Sequence, residues 1–274
     1  MATDYINSKT THYISNSGAD ENGGTKGGKA GDQNGKEWCL KAWYNRPWTV
    51  VLRYPDQNVA LEIANLGIAA ALNDKIGYDQ SQRTSYWTQL KAVGYDPSKI
   101  TVACEEDCTA GVSSNVRACG YLFGIKALQD IPICTSRNMK TQFVKAGFQA
   151  LTASKYLTSS KYLLPGDILL YEDHHAATNI TVGSAVRSSW KPSGDVPVVD
   201  PDTDPVVVDP PYVEVISKVN VRKGPDTSYG ILGIAKPGDR LHYFGYTYPD
   251  NGWMLVEYDK QTGWVSGKYA KLAE

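Results

Sequence analysis

Apolar residues recur with two different periods in the first half of the chain. Residues 36–45 alternate between apolar and polar side chains, which predicts a strand with one face on a core. Residues 58–74 have the spacing of an amphipathic helix, and residues 80–94 predict a second helix with Gly94 at its C-terminal cap. The predicted buried stripe of the first helix consists of Leu61, Ala64, Ile68 and Leu72.

Similar patterns continue up to about residue 190. Residues 137–147 have helical spacing, residues 166–172 predict a strand, and a segment of small and polar residues follows at 174–183. Residues 15–35 are too rich in glycine and polar side chains for regular elements, so we expect a loop there. Because helices come first and strands last around one core, the predicted fold class is α+β.

A change of composition separates this region from the rest of the chain. Residues 191–212, "KPSGDVPVVDPDTDPVVVDPPY", repeat proline and aspartate around short valine runs, which predicts a semi-rigid linker. Beyond it, short strand-like segments separated by Gly, Pro, Asn and Asp turns predict a small all-β barrel. We therefore expect an N-terminal domain at 1–188, a linker at 189–211 and a C-terminal domain at 212–274.

Length and charge argue against several functional classes. The 274 residues suffice for two cores, and the net charge of −1 provides no broad basic face for nucleic acid. No apolar run reaches the roughly 18 residues of a membrane-spanning helix, and "MATDYINSKTTHY" lacks the regions of a secretory signal. We expect synthesis in the cytoplasm, no membrane insertion and no cofactor.

The five cysteines cannot all pair within one chain, and a reducing cytosol favours free thiols. In "CEEDCTAGVSSNVRACG", the apolar spacing predicts a helix that begins at or near Cys108. Unpaired N–H groups at a helix start favour a thiolate, so we expect a lowered thiol pKa at Cys108, an effect that Glu106 and Asp107 oppose. We expect structural roles for Cys39, Cys119 and Cys134, with Cys119 on the buried helix face.

A zinc site is the alternative use of these cysteines. Cys104 and Cys108 could form half of such a site, with His174 and His175 as the other half. Structural zinc sites favour a tighter CxxC spacing than the one found here. We therefore predict no metal site.

The two adjacent histidines stand in "GDILLYEDHHAATNITVG". Neighbours on a strand point to opposite faces, so at most one of them faces any single site. His175 would share its face with Ala177 and Asn179, whose small or polar side chains suit the lining of a site. A candidate cysteine with a separate candidate histidine is the sparse signature of Cys/His catalysis.

The segments "DCTAGV" and "GDILLYEDHHAA" resemble the NlpC/P60 peptidases of peptidoglycan, which have the pattern D-C-S/T-x-x-V, G-D-I/V/L, H-x-A/G. Adjoining segments in residues 25–187 are similar to the catalytic regions of clostridial phage and prophage endolysins. The resemblance implies a papain-like catalytic domain in which Cys108 is the nucleophile and the histidine of H-x-A is the general base. It also implies that Asp107 and Tyr78 help to hold the substrate.

Both histidines satisfy H-x-A, His174 with Ala176 and His175 with Ala177. The argument from strand faces selects His175. The family usually adds a polar residue from the following strand to orient the imidazole, but that strand, "SAVRSSW", supplies none. Asn179, on the face of His175, is the predicted substitute.

The segments "VNVRKGPDTSYGILGIAKPGDRL" and "GWMLVEYDKQTGWVSGKYAKL" resemble the bacterial SH3 (SH3b) domain, which generally attaches enzymes to the cell wall. Together the resemblances imply a phage or prophage endolysin that reaches the wall through a holin or by lysis. It would be a cysteine hydrolase of peptidoglycan stem peptides that cuts between D-glutamate and the diamino acid. The alternatives are an N-acetylmuramoyl-L-alanine amidase on the same fold and an inactive wall-binding protein.

Overall fold

The computed structural model describes residues 2–192, 212–247, 251–259 and 261–272, without the side chains of 244–246. Contacts divide the chain into two units, Met1–Thr203 and Asp204–Glu274. Most of the predicted linker, residues 193–211, lies outside the described residues. Within the described ranges, no helix is both long and apolar enough to span a bilayer.

An antiparallel six-stranded sheet forms the centre of the N-terminal unit. The strands of this unit are β1 (Tyr13–Ser17), β2 (Trp38–Ala42), β3 (Val50–Arg53), β4 (Ile76–Tyr78), β5 (Cys104–Glu106), β6 (Gln149–Leu151), β7 (Ile168–Tyr171) and β8 (His175–Asn179). The sheet has the order β2-β1-β8-β7-β3-β6, while β4 and β5 form a separate parallel pair. The first strand of the chain therefore lies beside the last strand of the unit.

Helices cover this sheet and connect its strands. They are α1 (Ala2–Ile6), α2 (Gln57–Ala71), α3 (Ser85–Ala92), α4 (Cys108–Leu122), α5 (Lys126–Gln129), α6 (Met139–Lys145) and α7 (Ser154–Leu157), with 3-10 turns at Pro97–Lys99 and Ser160–Tyr162. Asp56 caps α2 by accepting the N–H groups of Asn58 and Val59. Gly94 follows α3 with φ +67° and donates to the carbonyl of Lys91, as the sequence predicts.

Several predicted elements are confirmed, with differences in detail. Strand β2 lies within residues 36–45, and α4 begins at Cys108. Helix α2 begins one residue before the predicted range of 58–74 and otherwise lies within it. The predicted buried stripe is wrong at Leu72, because this residue follows the helix and is 51% exposed. The buried face of α2 is wider than the prediction and includes Val59, Ile63 and Leu66.

The two faces of the sheet contact different apolar clusters. Helices α2 and α4 pack on one face, against Leu52, Leu170 and Ala176. The opposite face carries Trp48 and Ala177 in a smaller cluster. Because side chains alternate along β8, successive residues around His175 contact opposite sides of the sheet.

Two expectations about the order of elements are wrong. Strands β1, β2 and β3 precede α2, so strands and helices are mixed along the unit rather than separated into two blocks. Residues 15–17 belong to β1 and not to the glycine-rich loop. The serine and asparagine side chains of this strand are buried, so its sequence lacks the alternation that normally marks a half-buried strand.

The C-terminal unit is an antiparallel sheet of seven strands in its described residues, in the order β11-β10-β14-β13-β12-β9-β15. Valines from several strands fill its core, so the all-β prediction is confirmed, and the unit is consistent with an SH3-like domain. The strands are β9 (Tyr212–Val215), β10 (Val219–Arg222), β11 (Ile231–Ala235), β12 (Arg240–Thr247), β13 (Trp253–Tyr258), β14 (Gln261–Ser266) and β15 (Ala270–Leu272).

Candidate active site

Cys108 is the first residue of α4, and Asp107 caps this helix. One carboxylate oxygen of Asp107 accepts the N–H groups of Thr109 at 3.0 Å and Ala110 at 2.8 Å. The local sequence explains this start, because a capping aspartate immediately precedes a run of small residues. The backbone therefore places the Cys108 thiol at the N-terminal end of a helix that packs on the sheet.

Arg83 fixes Asp107 from the other side. Its guanidinium donates to the two carboxylate oxygens at 2.5 and 3.1 Å, and it also donates to the hydroxyl of Thr109. Burial would raise the pKa of Asp107, but the hydrogen bonds from Arg83, Ala110 and Thr109 lower it. Both oxygens of this residue, predicted to hold substrate, accept hydrogen bonds from the protein itself.

The thiol of Cys108 lies in surroundings that favour its neutral form. Burial raises its pKa to about 12, and the charge of Asp107 acts in the same direction. The backbone N–H groups of Ala176 and Thr109 oppose this shift. The lowered thiol pKa expected from the helix terminus is therefore wrong for the resting protein, where burial outweighs the helix end.

His175 begins strand β8, and its imidazole is held by a hydrogen bond and by stacking. Its Nε2 lies 2.9 Å from Oδ1 of Asn16, which also accepts the hydroxyl of Tyr44 at 3.2 Å. The indole of Trp48 stacks on the imidazole with ring centroids 6.0 Å apart. An amide oxygen only accepts, so Nε2 carries the proton of the neutral ring and Nδ1 keeps a lone pair.

Burial lowers the pKa of His175 to about 4, and the positive charges of Arg46 and Lys41 lower it further. The imidazole is therefore neutral at physiological pH. A neutral imidazole with an unprotonated Nδ1 is the form that can accept a proton from a thiol. The backbone N–H of Ala176, the residue directly after this histidine, is one of the groups that lower the pKa of the Cys108 thiol.

Asn179 and His174 are placed elsewhere. Asn179 accepts from Nε2 of His12 at 2.7 Å and donates to the carbonyl oxygens of Leu164 and Thr181. The partner of the His175 imidazole is thus Asn16 rather than the predicted Asn179. His174 lies exposed in the turn between β7 and β8, where its ring stacks on Tyr171 with centroids 4.1 Å apart.

Tyr78 ends strand β4 and is aligned with Glu106 of β5, two residues before Cys108. Its hydroxyl accepts a hydrogen bond from the Gln80 amide at 3.1 Å, which leaves its own proton available for donation. Burial raises the pKa of Tyr78, and the nearby Cys108 adds to the shift, so the phenol is neutral. Tyr78 is therefore close enough to Cys108 for the two groups to interact electrostatically.

Glu106 connects β1 to the start of α4. Its carboxyl group accepts the hydroxyl of Ser17 and, at 3.1 Å, the N–H of Gly111. Burial is the largest of the effects that raise its pKa well above the ordinary value. From the sequence, Glu106 is expected only to oppose a thiolate at Cys108, whereas in the structure its carboxyl group also links β1 to α4.

All five cysteines lie in the described ranges and are free thiols. Cys119 is fully buried in the main core, as predicted from its helix face. The thiol of Cys104 donates to the carbonyl of Lys75 at 3.6 Å. Among the residues that the structure describes, no group of three or more His, Cys, Asp or Glu side chains is arranged to hold a metal ion.

Residues 14–186 match the family described as the endolysin-like domain, and this match spans more than half of the chain. The chain belongs to the endolysin-like domain family. Residues 217–271 match the bacterial SH3 domain. Comparison with curated proteins gives no significant match, and neither does comparison with solved structures.

The matched endolysin-like domain contains Cys108, His175, Asn16 and Tyr78. The bacterial SH3 domain covers most of the C-terminal unit. This combination supports an endolysin that acts on peptidoglycan, with the SH3 domain suggesting cell-wall binding. The sequence-based expectation of an endolysin is confirmed at this level.

Proposed function

We propose that the endolysin-like domain is a thiol hydrolase of peptidoglycan stem peptides, of the NlpC/P60 type, with Cys108 as nucleophile and His175 as general base. The observation that carries the proposal is the pairing of His175 Nε2 with Asn16 Oδ1. This bond orients the ring and reserves Nδ1 as a proton acceptor. Asn16 then takes the positioning role that the sequence gives to Asn179.

Proton transfer and attack are coupled in this mechanism. The thiol is neutral at rest, so Nδ1 of His175 accepts the proton as the Cys108 sulfur attacks an amide carbonyl carbon. The C=O π electrons move to the oxygen, which becomes an oxyanion. When the tetrahedral intermediate collapses, the C–N bond breaks and the leaving amine takes the proton from Nδ1. Water, deprotonated by the same imidazole, then attacks the thioester carbonyl. The C–S bond breaks, the sulfur takes the proton back from Nδ1, and the acyl product leaves as a carboxylic acid.

We assign two donors to the oxyanion. The first N–H groups of a helix have no acceptor within the helix. In α4, the N–H groups of Thr109 and Ala110 donate to Asp107, so we assign the N–H of Cys108 to the oxyanion. The hydroxyl of Tyr78 supplies a second donor beside the thiol. In this account Tyr78 contacts the substrate, whereas Asp107 acts indirectly by fixing the helix start.

The bond that we propose is the amide between D-glutamate and the diamino acid of the stem peptide, as the NlpC/P60 resemblance implies. The SH3 domain would hold the enzyme on the wall and raise the local concentration of stem peptides. Hydrolysis and wall binding would therefore belong to different parts of the chain. Substitutions at Cys108 should affect the first activity and leave the second unchanged.

Lysis of purified cell walls, followed as loss of turbidity, tests this proposal. We expect lysis by the wild-type protein and none by Cys108→Ala, which should still sediment with the walls. Cys119→Ala removes a thiol from the same helix and should retain lysis, with about 1 kcal/mol lower stability from a small cavity. Equal lysis by Cys108→Ala would show that this thiol is not the nucleophile. If the wild-type protein binds the walls without lysing them, the protein is a wall-binding protein rather than a hydrolase.

A further inference from the structure

The glycine-rich loop between β1 and β2, residues 18–37, holds three consecutive residues at the end of β4. Each of the three has a hydrogen bond to this loop: the N–H of Tyr78 to Oε2 of Glu37 at 3.0 Å, Oδ2 of Asp79 to the N–H of Gly27 at 3.1 Å, and the N–H of Gln80 to the carbonyl oxygen of Thr25 at 3.0 Å. The loop therefore fixes the backbone at Tyr78 and directly after it.

Glu37 is placed for this contact by a turn within "AGDQNGKE", residues 30–37. The carboxylate of Asp32 accepts the N–H of Asn34 at 3.0 Å and the N–H of Glu37 at 3.0 Å, which closes the turn. Glu37 itself is 1% exposed, and its Oε1 accepts the N–H of Gln33 at 2.8 Å. Because each oxygen of the Glu37 carboxylate accepts a backbone N–H, its orientation is set within the loop.

The side chain of Gln80 contacts the opposite end of Tyr78. Its Nε2 donates to the phenolic oxygen at 3.1 Å, so the phenol keeps its own proton for a different acceptor. Burial raises the pKa of Tyr78, and the hydrogen bond from Gln80 opposes this rise. Because hydrogen bonds in a chain polarise one another, a phenol that accepts from Gln80 is a stronger donor to its next partner.

These contacts converge on a residue next to the nucleophile. Tyr78 is paired in register with Glu106, two residues before Cys108, and it interacts electrostatically with the thiol. In the proposed mechanism the Tyr78 hydroxyl donates to the oxyanion that forms when Cys108 attacks. Such a donor is most effective when its position and direction are fixed before the reaction.

Resting on the proposed function, we infer that Gln80 and Glu37 are positioning residues for the oxyanion donor Tyr78. Gln80 sets the direction of the hydroxyl proton, and Glu37 anchors the backbone of Tyr78 to the glycine-rich loop. Both residues act through Tyr78. The loop thus serves the chemical step, and its loss of order should appear in kcat rather than in KM.

Gln80→Ala and Gln82→Ala form a matched pair, because both side chains are exposed and belong to the same short segment. The substrate is the synthetic stem tetrapeptide L-alanyl-γ-D-glutamyl-L-lysyl-D-alanine. We expect Gln80→Ala to lower kcat by about 3- to 10-fold with little change in KM, part of the contribution of one oxyanion donor. Gln82→Ala should leave both constants unchanged. A rise of kcat in Gln80→Ala would mean that its amide oxygen takes the phenol proton, and it would overturn the inference.

Tyr78→Phe shows whether these effects pass through the hydroxyl. Alone, this variant should lose about 100-fold in kcat, the contribution of one oxyanion donor. Adding Gln80→Ala or Glu37→Ala to Tyr78→Phe should cause almost no further loss, because the group that they position is already absent. Losses that multiply in the double variants would show that the two residues act independently of Tyr78.

Glu37→Ala also leaves two backbone N–H groups without their acceptor, so urea unfolding accompanies its kinetics. If this variant does not fold, the cycle of Gln80→Ala with Tyr78→Phe decides the inference. Cleavage by the wild-type protein that is lost in Cys108→Ala supports the proposed function whatever these cycles give. Multiplying losses would then overturn the inference alone, whereas no cleavage by the wild-type protein would overturn both.

Discussion

Oδ1 of Asn16, on the first strand of the sheet, lies 2.9 Å from Nε2 of His175, on the last strand of the N-terminal unit. The two strands are neighbours of the same sheet, so the tertiary pairing of β1 with β8 creates this contact. The bond decides which ring nitrogen carries the proton. It therefore links the fold directly to the proposed chemistry.

Replacing Asn16 or Asn179 by alanine should have different consequences. Asn16→Ala should lower kcat by roughly 10- to 100-fold, part of the contribution of a positioned general base. Because it also leaves His175 and Tyr44 without their acceptor, it should cost about 1 to 2 kcal/mol of unfolding free energy. Asn179→Ala leaves His12 and two carbonyl oxygens without their partner, so it should cost about 2 to 3 kcal/mol of unfolding free energy. Steady-state kinetics and urea unfolding measure the two effects. A loss of kcat in Asn179→Ala but not in Asn16→Ala would restore Asn179 as the residue that orients His175.

The pH dependence of hydrolysis should report the low pKa of His175. The imidazole must be neutral to accept the thiol proton, so kcat/KM should fall as the pH drops through about 4, not through the ordinary value near 6.5. The measurement is kcat/KM of a soluble stem peptide against pH. Because the charge of Arg46 contributes to this shift, Arg46→Gln should raise the pH at which kcat/KM falls. A fall of the wild-type kcat/KM near pH 6.5 would contradict the burial of a neutral imidazole.

Glu105 should make stability depend on pH. One of its oxygens accepts the N–H of Gly31 at 2.6 Å, and the other is buried without a hydrogen-bond partner in the described residues. Burial, and then the charges of Glu37 and Asp79, raise its pKa from 4.5 to about 7. The folded state therefore binds more protons than the unfolded state between these values, so the stabilising contribution is complete below 4.5 and is lost as pH rises through 7.

Glu105→Gln removes this titration while keeping an oxygen for Gly31. The variant should match the wild-type stability near pH 4.5 and exceed it by about 1 to 2 kcal/mol at pH 8, with solvent screening of the neighbouring charges included. Urea unfolding of both proteins at a series of pH values gives the difference. A difference that stays constant with pH would show that Glu105 does not titrate in this range.

Gly166, in the "GD" segment before β7, should tolerate no side chain. It has φ +80°, and an added Cβ would overlap the carbonyl group of Ala60 in α2. Gly124 has φ +67° with open space around it, so it isolates the cost of the backbone conformation. Thermal unfolding should show a loss of about 1 to 2 kcal/mol for Gly124→Ala and more than about 3 kcal/mol for Gly166→Ala. Equal losses of stability in the two variants would mean that α2 moves to make room for the methyl group at residue 166.

Local signals account for the parts of the site that the sequence predicts. Asp107 followed by small residues indicates a helix start, so the position of Cys108 at the N-terminus of α4 follows from a few neighbouring residues. Alternation along β8 likewise separates the faces of His175 and Ala176. Such features depend on short stretches of chain, where capping and periodicity are informative.

The parts that the sequence does not predict depend on distant contacts. Asn16 lies in "YISNS", whose polar residues are buried by the neighbouring strands and by Glu106, so neither hydrophobic alternation nor a motif marks it. The thiol pKa depends on burial by the sheet, which no local pattern reveals.

Mass spectrometry of purified peptidoglycan after incubation with the wild-type protein, Cys108→Ala and Cys119→Ala tests the central claim most directly. We predict new termini between D-glutamate and the diamino acid with the wild-type protein and Cys119→Ala, and none with Cys108→Ala. The same termini with Cys108→Ala would contradict a thiol mechanism at this residue. Free stem peptides that begin with intact L-alanine would instead identify an amidase and contradict the proposed bond.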